Sequence, residues 1–187
     1  MRQLVFFLEE PSAREMLKGL LPKFLPEEIC ARFVVFEGKQ DLEKRLPKRL
    51  RAWQQPDSLF LVLRDQDRGN CIDIKSNLAA KCADAGYPRT MVRIACHELE
   101  TFYLGDLHAV AASIGPKSLA KMQNKAKYRN PDRLSNPALE LKKIAPSYQK
   151  LSGSRDIGPH LDLATNRSRS FSSLVSGINR LIEAQQP

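Results

Sequence analysis

The amino-acid sequence predicts an α/β fold: a four-stranded parallel sheet flanked by helices in a Rossmann-like arrangement, with a helical extension at the C-terminus. The apolar run 59–63 is too short for a helix and lies between the turn-forming pairs Pro56-Asp57 and Gly69-Asn70, which is typical of a buried strand. Along residues 1–115, strand-like apolar runs alternate with helical patterns. This alternation predicts parallel strands joined by right-handed crossovers.

Length and composition limit the class of protein. At 187 residues the chain has room for one hydrophobic core, and no apolar run approaches the roughly 20 residues that cross a bilayer. The first apolar run ends at once in Glu9-Glu10, unlike a signal peptide. Four cysteines without close pairing predict reduced thiols rather than a zinc site, and with them a cytoplasmic protein that has no membrane partner.

The first two strand–helix units are read from short apolar patterns. Residues 3–8 predict a strand, and Ser12 with Glu15 three residues later fits a capping box at a helix start. Residues 31–36 predict the second strand. An amphipathic helix follows over 41–53, in which Pro47 is expected to cause a kink or a restart.

The third strand is the apolar run itself, and apolar residues at four-residue intervals then predict a helix that ends at Gly86. Residues 90–96 predict the fourth strand, and Glu98 and Glu100 open a helix expected to continue to Ile114. The first and third strands are predicted to be neighbours in the middle of the sheet, because both end in acidic residues.

After Gly115 the pattern changes, which predicts two parts: an α/β core over 1–115 and a basic helical extension over 116–187. Within the extension, helices are predicted for residues 134–145, 160–165 and 170–183, the first of them starting near Ser135-Asn136-Pro137.

The net charge of +9 is unevenly distributed along the chain. Residues 1–105 carry 17 Lys and Arg against 15 Asp and Glu, whereas residues 106–187 carry 13 against 6. The surplus of positive charge in residues 106–187 suits a nucleic-acid partner, and an ordinary solvated surface explains it equally well. The candidate nucleic-acid-binding residues are Lys117, Lys121, Lys125, Lys127, Arg129 and Arg155.

Carboxylates follow three of the predicted strands. Because parallel strands bring their carboxyl ends to one edge of a sheet, these acids are expected to converge. Closely spaced carboxylates repel one another unless a cation or a proton lies between them, and oxygen ligands of this kind suit one or two Mg²⁺ or Mn²⁺ ions. No phosphate-binding glycine loop and no nucleophile elbow is present. The acids are Glu9, Glu10, Asp65, Asp67, Glu98 and Glu100.

These acidic strand ends resemble the Toprim domain of topoisomerases, primases and OLD-type nucleases. Residues 6–9 (Phe-Phe-Leu-Glu) match its glutamate strand, and residues 61–67 match its Asp-x-Asp strand. Glu10 stands where that family often has glycine. More closely, residues 8–12, 65–67, 98–106, 148–150 and 161–163, with Gly153, resemble a stand-alone Toprim-like group, the domain-of-unknown-function family numbered 4276.

The resemblance implies a Mg²⁺-dependent Toprim-type nuclease or nicking module acting on nucleic-acid phosphodiesters, and it also suggests a phage-defence effector that works with a partner ATPase. It implies that Glu9 acts as a general base or acid, or as a metal ligand, and that Lys150 contacts a phosphate. The implied metal ligands are Glu9, Asp65, Asp67, Glu98 and Glu100, and the implied catalytic residues are Glu9, Asp65, Asp67 and Lys150. Two alternatives stay open: a non-catalytic nucleic-acid or partner-binding module with a degenerate metal site, and a small phosphohydrolase.

Overall fold

The computed structural model describes residues 2–184, and these residues contain one four-stranded, all-parallel sheet with helices on both faces. The strand order is β2-β1-β3-β4, so β1 and β3 occupy the middle. The predicted fold class and the predicted central pair of strands are both confirmed. The strands are β1 (Arg2–Leu8), β2 (Ile29–Val35), β3 (Ser58–Asp65) and β4 (Met91–Ala95).

Helices make up most of the remaining described chain, together with four short 3-10 turns. In the part of the chain that the structure describes, no helix is long and apolar enough to cross a membrane. The α-helices are α1 (Pro11–Leu20), α2 (Lys39–Arg51), α3 (Cys71–Asp84), α4 (Glu100–Leu104), α5 (Leu107–Ser113), α6 (Leu119–Met122), α7 (Pro137–Ile144), α8 (Lys150–Ile157) and α9 (Arg169–Glu183).

The sheet separates two hydrophobic clusters, because successive side chains of a strand point to opposite faces. Val5 and Phe7 of β1 belong to the cluster covered by α2 and α3. Leu4, Phe6 and Leu8 belong to the larger cluster on the other face, which is covered by α1 and by helices of the C-terminal half. The central strands are therefore buried on both sides, as their continuous apolar runs predict.

Residues on both sides of Gly115 share this larger cluster. Leu104 packs there together with Leu141, Ile157 and Phe171. Helix α8 lies against α1, and α9 lies against β4. The division into a core and an extension stays a prediction. What the structure shows is that the C-terminal helices complete one face of the sheet.

One predicted helix start is wrong and another is confirmed. Helix α1 begins at Pro11 and its N-cap position is Glu10, because proline is favoured in the first turn, where no backbone donor is required. Ser12 therefore caps nothing and donates its hydroxyl to Glu10 Oε2 over 3.2 Å. Helix α7 begins at Pro137, within the Ser135-Asn136-Pro137 start that the sequence predicts. Helix α2 continues through Pro47 without a restart.

Two other predicted helices are wrong because aspartate side chains bond to the backbone. The helix expected to reach Ile114 is divided at Asp106, whose side chain accepts from Ala109 N over 3.0 Å and starts α5. The helix expected over 160–165 is absent. There Asp162 Oδ1 accepts from Ala164 N over 2.8 Å and from Thr165 N over 2.7 Å, which forms a turn.

Candidate functional site

Glu9 and Asp65 meet at the carboxyl edge of the sheet, where the central strands β1 and β3 end. Oε2 of Glu9 accepts a hydrogen bond from the backbone N of Asp65 over 3.1 Å, and both residues are 8% exposed. Arg64 Nε lies 3.8 Å from the same oxygen. Burial raises the pKa of Glu9, and the charges of Asp67 and Glu10 raise it further, against the hydrogen bond from Asp65 and the charge of Arg64.

Glu100, the first residue of α4, faces this pair from the third acidic segment. It is 1% exposed, and its Oε1 accepts a hydrogen bond from the hydroxyl of Tyr148 over 2.8 Å. Its Oε2 is buried without a hydrogen-bond partner among the described residues. Burial, followed by the charges of Glu100 and Glu9, raises the pKa of Asp65 well above its ordinary value. Two carboxylates therefore share a dry environment that favours a proton or a cation.

Lys150, at the start of α8, brings a positive charge to the same edge. Its Nζ lies 2.6 Å from Glu10 Oε1. Burial lowers the pKa of Lys150, but the hydrogen bond to Glu10 and the charges of Glu100 and Asp65 outweigh burial and raise it overall. The residue is 140 positions from Glu10 in sequence, so α8 must pack on α1 before the pair forms.

A cavity of about 10 Å³ lies between Glu9, Glu10, Ser12 and Asp65, with room for a single water molecule or ion. The carboxylate oxygens of Glu9, Glu10 and Asp65 are of the kind that binds a hard divalent cation, whereas Glu100, with its unpartnered Oε2, does not line this cavity. Within residues 2–184, however, no three His, Cys, Asp or Glu side chains are arranged so that they could hold a metal. Carboxylate oxygens are the donors that Mg²⁺ prefers, but a complete ligand set here would require side-chain movement.

Asp67 and Glu98 lie outside the buried cluster and line a neighbouring open cleft of about 590 Å³. Asp67 pairs with Lys39 Nζ over 2.7 Å and has a positive φ of 54°. Glu98 Oε2 accepts from Ala138 N over 2.8 Å, in the first turn of α7. Of the five predicted metal ligands, the structure thus gathers three in the buried cluster and places two in this cleft.

His97 also lines this cleft, and no sequence pattern predicted it as a site residue. It has a positive φ of 61°, unusual for a residue other than glycine, and its carbonyl accepts from Asp67 N over 2.7 Å. Its Nδ1 lies 3.1 Å from the carbonyl oxygen of Asp67. This hydrogen bond requires the proton on Nδ1, so Nε2 of a neutral His97 is left as an acceptor. Strained backbone of this kind is concentrated at functional sites.

A family model described as Domain of unknown function (DUF4276) matches residues 8–179. The chain belongs to this family. Comparison with curated proteins and with solved structures found no match. The matched range contains the acidic strand ends and Lys150, so the candidate site lies entirely within the part of the chain that defines DUF4276 membership.

The predicted basic residues of this DUF4276 chain are all exposed, but they are not equally available. Lys127 pairs with Glu140 over 2.7 Å, and Arg155 pairs with Glu15 over 3.3 Å. Arg129 donates through Nε to the carbonyl of Asn124 over 3.3 Å. The remaining three, Lys117, Lys121 and Lys125, lie on the surface around α6.

Proposed function

We propose that this DUF4276 protein is a Mg²⁺-dependent, Toprim-type nuclease or nicking enzyme that acts on nucleic-acid phosphodiesters. The observation that carries the proposal is the buried pair Asp65 and Glu100 beside Glu9, with one oxygen of Glu100 left without a partner. A protein seldom buries carboxylates together unless a cation is to be bound or a proton is to be moved.

Each residue has a defined role in this proposal. Glu9, Asp65 and Glu100 would hold the cation, with Asp67 and Glu98 entering from the cleft. When bound, Mg²⁺ would stabilise negative charge on the phosphodiester and lower the pKa of water. Glu9, with its raised pKa, is suited to accept or return a proton. Lys150 would exchange its contact with Glu10 for a phosphate oxygen and neutralise its charge.

The test is cleavage of supercoiled plasmid, single-stranded DNA and RNA by the purified protein with Mg²⁺ or Mn²⁺. We expect Asp65→Asn and Glu9→Gln each to lower the rate at least a hundredfold. Glu37→Gln removes an exposed carboxylate just after β2, outside the buried cluster, and should leave the rate unchanged. If all three substrates stay intact, both alone and with any ATPase encoded beside the gene, the nuclease proposal is wrong.

One observation favours the non-catalytic alternative. Lys150 and Lys39 already neutralise Glu10 and Asp67, and no three-residue metal group exists within residues 2–184. A binding module in which lysines replace the metal would have this arrangement. Calorimetric titration with Mn²⁺ separates the two: the enzyme binds the metal and loses binding in Asp65→Asn, whereas the binding module takes up none.

A further inference from the structure

A second cavity, of about 520 Å³, runs along β4, the strand at one edge of the sheet. Val92, Arg93 and Ile94 of β4 form its floor, and the N-terminal part of α9 forms one wall. We call this cavity the basic groove. Its charged lining consists of Lys75, Arg93, Arg133, Arg169 and Arg180, with Asp132 as the single acid.

Most of the positive charge of the basic groove is not neutralised by the described residues. None of its five cationic side chains forms an ion pair within residues 2–184. Asp132 accepts from Ser168 Oγ over 2.7 Å and from Ser170 N over 3.0 Å at the start of α9, and these neutral donors leave its single negative charge against five positive ones. Like charges held together with too few counter-charges are a recognised mark of an anion-binding surface.

Arg93 is fixed in position before any ligand arrives. It donates through Nε to the carbonyl of Ser173 over 2.8 Å and through Nη1 to the carbonyl of Val92 over 3.0 Å. Gly177 makes room for it, since a Cβ there would lie 2.6 Å from Arg93 Nε. Burial lowers the pKa of Arg93, and repulsion from Arg180 lowers it further. A guanidinium already immobilised loses little side-chain entropy when it binds an anion.

The basic groove adjoins the cleft that contains Asp67 and Glu98. Cys96 lines the groove, and the next residue, His97, lines the cleft. Arg133 of the groove is likewise two residues from Ser135 of the cleft. A chain of phosphates lying along β4 would therefore be directed to the acidic edge of the sheet.

We propose that the basic groove binds successive phosphates of a nucleic-acid strand and leads that strand to the acidic site. The identity of the anion rests on the proposed function; the presence of an anion site rests on the groove itself. This proposal places the main nucleic-acid-binding surface at the β4 edge of the sheet. The segment around α6, to which the sequence pointed, would then contribute little.

The test measures binding without cleavage, in EDTA, by fluorescence anisotropy of labelled oligomers of single-stranded DNA, RNA and duplex DNA. The variant Arg133→Ala/Arg169→Ala/Arg180→Ala removes three exposed charges from the groove. Its matched control, Lys44→Ala/Lys48→Ala/Arg49→Ala, removes three exposed charges from α2. A third variant, Lys117→Ala/Lys121→Ala/Lys125→Ala, tests the segment around α6. Thermal melting of each variant verifies that it is folded.

We expect the groove variant to weaken binding at least tenfold and to reduce the salt dependence of log K by about 2–3. The two other variants should change Kd by less than about threefold. Equal losses in all three variants, a loss confined to the α6 variant, or no binding by the wild-type protein would each overturn the inference. Groove-dependent binding without metal-dependent cleavage would support the groove and contradict the nuclease. Metal-dependent cleavage that is unchanged in the groove variant would support the nuclease and contradict the role of the groove.

Discussion

The hydroxyl of Tyr148 donates to Oε1 of Glu100 over 2.8 Å, across a separation of 48 residues in the chain. Tyr148 is 5% exposed, and its ring lies 6.1 Å from that of Tyr103, measured between centroids. Tyr148, in the short segment before α8, thus fixes the orientation of the Glu100 carboxylate. The acidic edge is built by the C-terminal helices as much as by the strands.

The first prediction concerns this hydrogen bond. Tyr148→Phe should lower the free energy of unfolding by about 1–3 kcal/mol, because it leaves both oxygens of a buried carboxylate without a partner. Urea denaturation measures the change. Tyr87→Phe, which removes the hydroxyl of a half-buried tyrosine on the opposite face of the sheet, is the control and should lower the free energy of unfolding by less than about 0.5 kcal/mol. If both variants lose the same free energy of unfolding, the hydrogen bond to Glu100 does not contribute to stability.

The second prediction uses Gly153, which lies in α8 against the ring of Tyr148. In an ordinary helix position, Gly→Ala stabilises by about 0.5–1 kcal/mol. Here a Cβ would collide with Cδ2 of Tyr148, so the ring would have to move. We expect Gly153→Ala to destabilise by about 1–3 kcal/mol, as overpacking does. Ser152→Ala, at the preceding exposed position, should be neutral or stabilising. A stabilised Gly153→Ala would contradict the packing.

The strands were predictable because their signal is local. A continuous apolar run such as that of β3 can be buried only between two helical layers, and the acids that follow β1 and β3 mark the central pair. The wrong helix limits share a different cause. At Glu10 the start of the helix depends on a proline, and at Asp106 it depends on a side-chain hydrogen bond. The periodic spacing of apolar residues predicts neither.

The site was predictable only as far as strand ends reveal it. Glu9 and Asp65 meet because adjacent parallel strands align their ends. Glu100 joins them, whereas Glu98 turns toward Ala138 and caps the first turn of α7 instead. Which of two acids in one segment faces the site depends on the packing of α7 and α8. These contacts join residues 40 or more positions apart, and the hydrophobic periodicity of a sequence does not predict such contacts.

A third prediction follows from the thiol of Cys82, for which burial raises the pKa to about 11. At pH 8 only roughly one part in a thousand is thiolate, so iodoacetamide should alkylate Cys82 at least a hundredfold more slowly in the native protein than in urea.

Between pH 9 and 11 the native state binds more protons than the unfolded state, so stability should fall as pH rises through this window. Cys82→Ala should remove that part of the pH dependence, and an unchanged profile would show that another group causes it.

The last prediction tests the conflict between stability and function at Asp65. Burial and neighbouring acids raise its pKa, so the charged form costs stability at neutral pH. Without metal, Asp65→Asn should therefore raise the melting temperature by about 2–4 °C for each kcal/mol relieved. Glu37→Gln, on the exposed surface, should leave it unchanged.

Divalent metal should reverse this order. Mg²⁺ or Mn²⁺ that binds only the native state stabilises it in proportion to the logarithm of its concentration. Millimolar metal should therefore raise the melting temperature of the wild-type protein and of Glu37→Gln, but not of Asp65→Asn. Ca²⁺ and Na⁺ at the same ionic strength separate specific binding from screening. If Asp65→Asn melts lower than the wild-type protein without metal, its carboxylate is stabilising, and the buried acids are structural instead of poised for a cation.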